Sequence, residues 1–203
     1  MNRIFAFILI CVLFVSFPIK AVNALNETAV FAGGCFWCLE HDLEKLPGVI
    51  SVESGYSGGD LINPTYRNHK GHREAVRVSF DSQKISYETL LKAYWRNIDP
   101  LDNEGQFCDR GSSYLAFIFT DGENQLSAAQ KSLGDASKEL HLSKKDIHVQ
   151  IQARQKFWLA EDYHQDYAEL NNIKYNFYRY SCGRDNRLKE VWGKNAGSAN
   201  PWE

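Results

Sequence analysis

Two cysteines three residues apart, Cys35 and Cys38, stand in a Gly-Gly-Cys-Phe-Trp-Cys run that begins at Gly33. The run follows a short apolar stretch, Ala29 to Ala32. It opens a pattern in which Phe36, Trp37, Leu39, Leu43 and Leu46 recur at helical spacing. Cys35 is thereby predicted at the start of a helix, where free backbone N–H groups and the macrodipole favour an anion. A thiol in that place is expected to lose its proton readily, and the thiolate is the reactive form. The two aromatics beside it offer an apolar wall for a substrate. The pair also has the spacing of a redox Cys-x-x-Cys or of half a zinc site. Cys108 and Cys182 lack the second close pair that a four-cysteine zinc site usually shows, so no metal site is read here. Gly33-Gly34 is not followed by the Gly-Lys-Ser/Thr of a phosphate loop.

The elements that must position these thiols alternate between strand and helix patterns. Thr28 to Ala32 reads as a buried strand, and the helix from about Cys35 ends before Pro47-Gly48. Val49 to Tyr56 and Glu74 to Phe80 alternate as strands around a loop rich in Gly, Asn and Pro, Ser57 to Gly71. Ser86 is a predicted N-cap for an amphipathic helix over Tyr87 to Asn97. Gln106 to Ser113 reads as a polar loop, Tyr114 to Thr120 as a buried strand, and Glu123 to Leu140 as a long helix. His148 to Ala153 follows as a short strand and Ala160 to Asn171 as a helix; the tail after Cys182 shows no period. The intermixing predicts an α/β (α+β) fold: a mixed β-sheet with helices packed on it in a two-layer sandwich, and an irregular C-terminal tail.

The chain has 203 residues and a formal net charge of −2. Arg3, the apolar run Ile4 to Phe17 and the small-residue site Val22-Asn23-Ala24 have the layout of a secretory signal peptide over residues 1–24. The apolar run is short for a membrane span. Without Arg3 and Lys20 the balance becomes about −4, which argues against a nucleic-acid surface. The remainder suits one catalytic domain, 25–180, with a mobile tail, 181–203. Monomer is the default, and export points to the periplasm. An oxidising compartment makes structural disulfides the first expectation for Cys35, Cys38, Cys108 and Cys182, although a core of this size does not need them.

Five ordered segments together carry a resemblance. Gly33-Gly34-Cys35-Phe36-Trp37 with Glu40, Asn63-Pro64-Thr65-Tyr66 and Gly71-His72-Arg73-Glu74-Ala75-Val76 are three of them. Asp109-Arg110-Gly111-Ser112-Ser113-Tyr114 and Ala160-Glu161-Asp162-Tyr163-His164-Gln165-Asp166-Tyr167 are the others. This set resembles the peptide methionine sulfoxide reductase A family. The resemblance implies cofactor-free reduction of the S-epimer of methionine sulfoxide, free or in oxidised proteins. It implies Cys35 as nucleophile, Glu74 as the acid toward the sulfoxide oxygen, and Tyr66 and Tyr114 as donors to that oxygen. Phe36 and Trp37 would enclose the methyl group, and Asp109 would organise the pocket. Cys35 would become a sulfenic acid, condense with a resolving cysteine, and be reset by a thioredoxin-like dithiol.

Cys182 is the expected resolving cysteine, because the family commonly uses a C-terminal one. Cys38 and Cys108 remain open as additional redox residues; Cys38 stands where many members carry Gly. His72 and His164 are expected to be structural hydrogen-bonding residues. Two other readings of the same residues are a thiol–disulfide oxidoreductase using Cys35 and Cys38, and a zinc- or disulfide-stabilised binding domain.

Overall fold

The computed structural model describes residues 26–202, so the signal peptide expected at 1–24 lies outside the described residues. Strand β1 (Asn26–Ala32) runs antiparallel between β3 (Arg73–Asp81) and β6 (Phe117–Thr120). Strand β2 (Val49–Ser57) pairs antiparallel with β3 and, on its other side, with the short β8 (Trp158–Leu159). At the far edge β7 (Gln150–Ala153) pairs parallel with β6. The sheet order is β7-β6-β1-β3-β2-β8, with one parallel pairing in an otherwise antiparallel sheet.

Side-chain alternation along β1 divides the core. Ala29 and Phe31 join the main cluster, with Leu39 and Leu43 of α1 (Phe36–Glu44) and Leu90, Leu91 and Trp95 of α2 (Tyr87–Trp95). Ala129 and Ala136 of α3 (Gly122–Glu139) complete that face. Val30 and Ala32 point the other way, onto Ala75, Phe117 and Phe119, a cluster without helices. Arg73 and Arg77 lay their guanidinium groups over Phe117 and Phe157 there, at 4.7 and 4.9 Å. Ser86 caps α2 as expected, its hydroxyl accepting from the Thr89 N–H at 3.2 Å.

Several stretches differ from the sequence reading; the strand expected over Tyr114 to Thr120, for one, begins only at Phe117, with Tyr114 in the turn before it. The polar loop contains a hairpin, β4 (Gly105–Gln106) with β5 (Asp109–Arg110), turned through Phe107 at φ 56°. The tail after Cys182, expected to be irregular, holds the helix α6 (Arg184–Trp192); the helix expected over Ala160 to Asn171 is reduced to a short turn at 162–164 and α4 (Tyr167–Leu170), and α5 (Asn172–Ser181) follows it. Arg184, Leu188 and Trp192 recur every four residues and form the buried face of α6. Trp192 donates to the Ile98 carbonyl at 2.9 Å and Arg184 to the Asn97 carbonyl at 2.6 Å. Beyond α6, the buried Arg96 bonds the Asn200 and Pro201 carbonyls while pairing with Glu139 at 2.7 Å. Among the described residues no helix is long and apolar enough to cross a membrane.

Candidate active site

Helix α1 starts immediately after Cys35, whose backbone is the N-cap. The sharp entry from β1 uses Gly34 at φ 83°, where a Cβ would also lie 2.7 Å from the Gln106 side chain. Cys35 and Cys38 are both buried free thiols. The structure reverses the expectation of an easily ionised Cys35. Burial pushes its thiol well up, and Cys38 and Glu74 push it further. Cys38 is lowered to about 7, first by its hydrogen bond with Cys35 and then, against burial, by Arg184 and Arg179. Withdrawal from water thus opposes the helix terminus at Cys35, and the hydrogen bond between the two thiols couples their protons.

Glu74 faces Cys35 from the sheet. It lies on β3, a central strand flanked by β1 and β2, opposite Tyr56. Its carboxylate is 2% exposed and accepts the Phe36 N–H of α1 at 3.2 Å. Burial raises its pKa to about 8, overriding the lowering by Phe36 and Tyr114; Asp109 and Cys38 add to the rise. Its carboxyl is therefore protonated at neutral pH.

Seven residues singled out from the sequence meet at one small cleft: Cys35, Phe36, Trp37, Tyr66, Glu74, Asp109 and Tyr114. It encloses about 60 Å³. Tyr114 arrives on the turn at 112–114, and Tyr66 on the loop between β2 and β3. That loop is anchored by Glu161, which accepts the Tyr66 N–H at 3.0 Å and the Tyr56 hydroxyl at 3.0 Å. His72 holds the same loop by accepting from Gly59 N–H and bonding the Leu61 carbonyl, the structural part expected for it. His164 accepts the Trp37 indole N–H at 3.1 Å, and Tyr167 stacks on that indole at 3.7 Å. A larger open cleft of about 430 Å³, beside Val30, Arg77, Arg154 and Phe157, contains no cysteine.

The eighth wall of the small cleft is Tyr178 of α5, which the sequence reading missed. Its hydroxyl donates to Asp109 at 2.5 Å, and its ring meets Trp37 edge-on. Burial raises the Asp109 carboxyl, and the Tyr178 bond and Arg184 hold it back. Tyr175, Tyr178 and Cys182 stand at helical spacing, which was the available signal.

Cys182, the C-cap of α5, is disulfide-bonded to Cys108 in the β4–β5 turn, with their Cα atoms 4.9 Å apart. Cys108 is exposed. Cys108 directly precedes Asp109, and Cys182 follows Tyr178 by one turn, so both cysteines adjoin the cleft wall. The four cysteines among the described residues thus form two pairs, one buried and reduced, the other oxidised and partly exposed.

With this geometry in place, comparisons with known proteins give a consistent result. The family model described as peptide methionine sulfoxide reductase matches residues 27–196. The peptide methionine sulfoxide reductase MsrA 2 of Caulobacter vibrioides is 54% identical over 172 residues, 83% of this chain and 86% of that one. Among solved structures, methionine sulfoxide reductase A of Corynebacterium diphtheriae superposes with a TM-score of 0.68 at 28% identity, over 73% of this chain and 76% of its own. Mxr1 of Saccharomyces cerevisiae, solved in complex with Trx2, shares the fold at a TM-score of 0.50 and 20% identity, over 74% and 91% of the two chains.

Proposed function

The chain belongs to the peptide methionine sulfoxide reductase family, and from that premise we propose how its residues divide the work. The protein is an oxidoreductase that returns methionine sulfoxide to methionine. The convergence of one buried thiol, one buried acid and two tyrosines on an aromatic cleft is the observation that carries the assignment. The substrate methyl rests against Phe36 and Trp37, and the oxygen turns toward Glu74, Tyr66 and Tyr114. Glu74, protonated at rest, gives its proton to the oxygen and makes the sulfur electrophilic. Asp109 organises the cleft through Tyr178.

Cys35 attacks the sulfoxide sulfur, its own proton passing to Cys38. Two electrons move from Cys35 to the substrate, and the oxygen ends on Cys35 as a sulfenic acid while methionine leaves. The Cys182 thiol then displaces that oxygen as water, forming a Cys35–Cys182 disulfide. Cys108 attacks Cys182, frees Cys35 and leaves the Cys108–Cys182 bond. An external dithiol reduces this bond and becomes a disulfide itself, so one sulfoxide is exchanged for one disulfide and one water. The arrangement of the thiols, Cys35 and Cys38 free with Cys108 and Cys182 joined, matches the state before that last step. Cys38 is a second choice for resolving the sulfenic acid, favoured by its hydrogen bond with Cys35.

The fold shared with a reductase solved on Trx2 supports a thioredoxin-like protein as the dithiol. The expected signal peptide supports a protein exported to the periplasm, where that dithiol must also be found. The chain needs no prosthetic group in this scheme and works as a monomer on free or protein-bound sulfoxide.

Methionine release from each sulfoxide epimer, with dithiothreitol as reductant, tests the reading. Turnover of the S-epimer and not the R-epimer is expected. Folded, reduced protein that leaves the S-epimer untouched would overturn it. A thiol–disulfide oxidoreductase would instead reduce disulfide substrates with no need of Glu74.

A further inference from the structure

Helix α1 carries a second set of ionisable groups, one turn beyond the cleft residues Phe36 and Trp37. Glu40 and Glu44 lie one turn apart, and Asp166 approaches them from the link that precedes α4. One carboxylate oxygen from each falls within 4.8 Å of the other two. Glu40 is 1% exposed, and neither of its oxygens has a hydrogen-bond partner. The Asp166 backbone N–H and the Ser54 hydroxyl lie against it as weak donors, outside the geometry of a formed hydrogen bond. The charged groups acting on Glu40 are Glu44 and Asp166, both of its own sign. Glu44 feels Asp166 and Glu169 in the same way, with Lys45 the single opposing charge.

A buried carboxylate without a partner is costly, and two more carboxylates beside it raise that cost. We propose that Glu40, Glu44 and Asp166 bind a hard divalent cation, calcium in the first place, and so clamp α1 to the 162–167 segment. The donors are all oxygen, which suits calcium or magnesium rather than zinc. Glu40 is the inner ligand. Glu44 and Asp166 are exposed, so water completes the shell, as calcium's loose geometry allows. No cysteine or histidine takes part, and cysteine and histidine spacing in the sequence gave no sign of the site.

The clamp has a consequence for the cleft. The 162–167 segment holds His164 and Tyr167, the two residues that fix the Trp37 indole. Calcium then lowers KM for the sulfoxide and leaves kcat nearly unchanged, an effect that rests on the place given above to Trp37 in substrate binding.

The experiment reads binding without activity. Metal-stripped wild-type protein is titrated with calcium chloride by calorimetry, and its unfolding midpoint is compared in calcium and in EDTA. One site per chain and a rise of about 5 °C at saturating calcium are expected. The double variant Glu44→Gln, Asp166→Asn loses the rise, while Glu169→Gln, a neighbouring acid outside the set, keeps it. No heat and no shift with calcium, magnesium or manganese would overturn the proposal, leaving Glu40 to hold a proton. An equal rise in the double variant would overturn it as well, by placing the ion elsewhere. The wild-type titration stands even if the double variant fails to fold.

Discussion

The two cysteine pairs occupy opposite environments within a short span of the molecule. Cys35 and Cys38 are 5% and 1% exposed, packed with Trp37, Ala168, Tyr175 and Tyr178. Cys108 stands on an exposed hairpin turn, bonded to Cys182, the C-cap of α5. Burial withholds water from Cys35 and from Glu74 and raises both, which in the proposed mechanism keeps the acid and the thiol protonated until substrate arrives. Exposure does the reverse for the second pair: no proton is tuned there, and an external dithiol can reach the bond. Sulfoxide chemistry needs a dry acid, while disulfide exchange needs access. Residues 108 and 109, adjacent in sequence, belong to both worlds.

Substituting each pair separately breaks the comparison most sharply. Cys35→Ser is expected to abolish the first turnover as well as all later ones. Cys182→Ser is expected to keep one stoichiometric methionine per chain and to lose recycling by a thioredoxin-like dithiol. Rapid-quench measurement of methionine separates the two phases. Undiminished multiple turnover in Cys182→Ser removes that residue from the relay and transfers its part to Cys38. A retained first turnover in Cys35→Ser sinks the whole scheme.

The next largest effect belongs to Glu74. Glu74→Gln is expected to slow the first turnover by roughly 10²–10⁴-fold, the usual worth of a positioned acid. The wild-type rate should fall as pH rises through about 8, where Glu74 loses its proton, and also as pH falls through about 7, where Cys38 already holds a proton and cannot take the one from Cys35. On the alkaline side stability runs in the same direction. Glu74 has a folded pKa raised above its ordinary carboxylate value, so its contribution is full below that value and lost as pH rises toward 8. Urea unfolding of Glu74→Gln should show a weaker loss of stability over that window. A pH profile unchanged by the substitution would assign the alkaline limb to another group.

The buried half of this comparison was largely legible in the sequence, and the exposed half was not. Strands β1, β2 and β3 announce themselves by alternation, and α1 and α2 by their period and stops, because their apolar faces meet one core. Seven cleft residues could be named because they sit in short ordered segments. Nothing in the spacing said that burial would oppose the helix terminus at Cys35; that depends on α1 being covered by α5, a tertiary fact. The C-terminal helices were hidden because their buried face is narrow. In α6 it consists of Arg184, Leu188 and Trp192 among charged residues, and an arginine does not register as apolar. The pairing of Cys108 with Cys182 bridges 74 residues and is invisible to any local pattern.

Tyr178 is where the two regions touch, and its substitution is the smallest and finest test. The hydroxyl donates to Asp109, beside Cys108, while the ring closes the cleft over Trp37. The same hydroxyl lies close enough to Cys35 to lower that thiol against the rise from burial if its single proton turns from Asp109 to the sulfur. Tyr178→Phe keeps the ring and removes both effects. The Cys35 thiol then climbs further, and Asp109 loses the donor that stabilises its charge. A slowing of about tenfold in the first turnover is expected, equivalent to about 1.4 kcal/mol in the barrier. Reduction of the Cys108–Cys182 bond by an external dithiol should continue at its wild-type rate, since that step lies outside the dry cleft. Tyr175→Phe on the same helix, whose hydroxyl accepts from Arg179 rather than facing Asp109, serves as the control. An equal loss in both variants would mean that α5 acts by packing alone; a loss confined to Tyr178→Phe places its hydroxyl in the proton chemistry of Cys35.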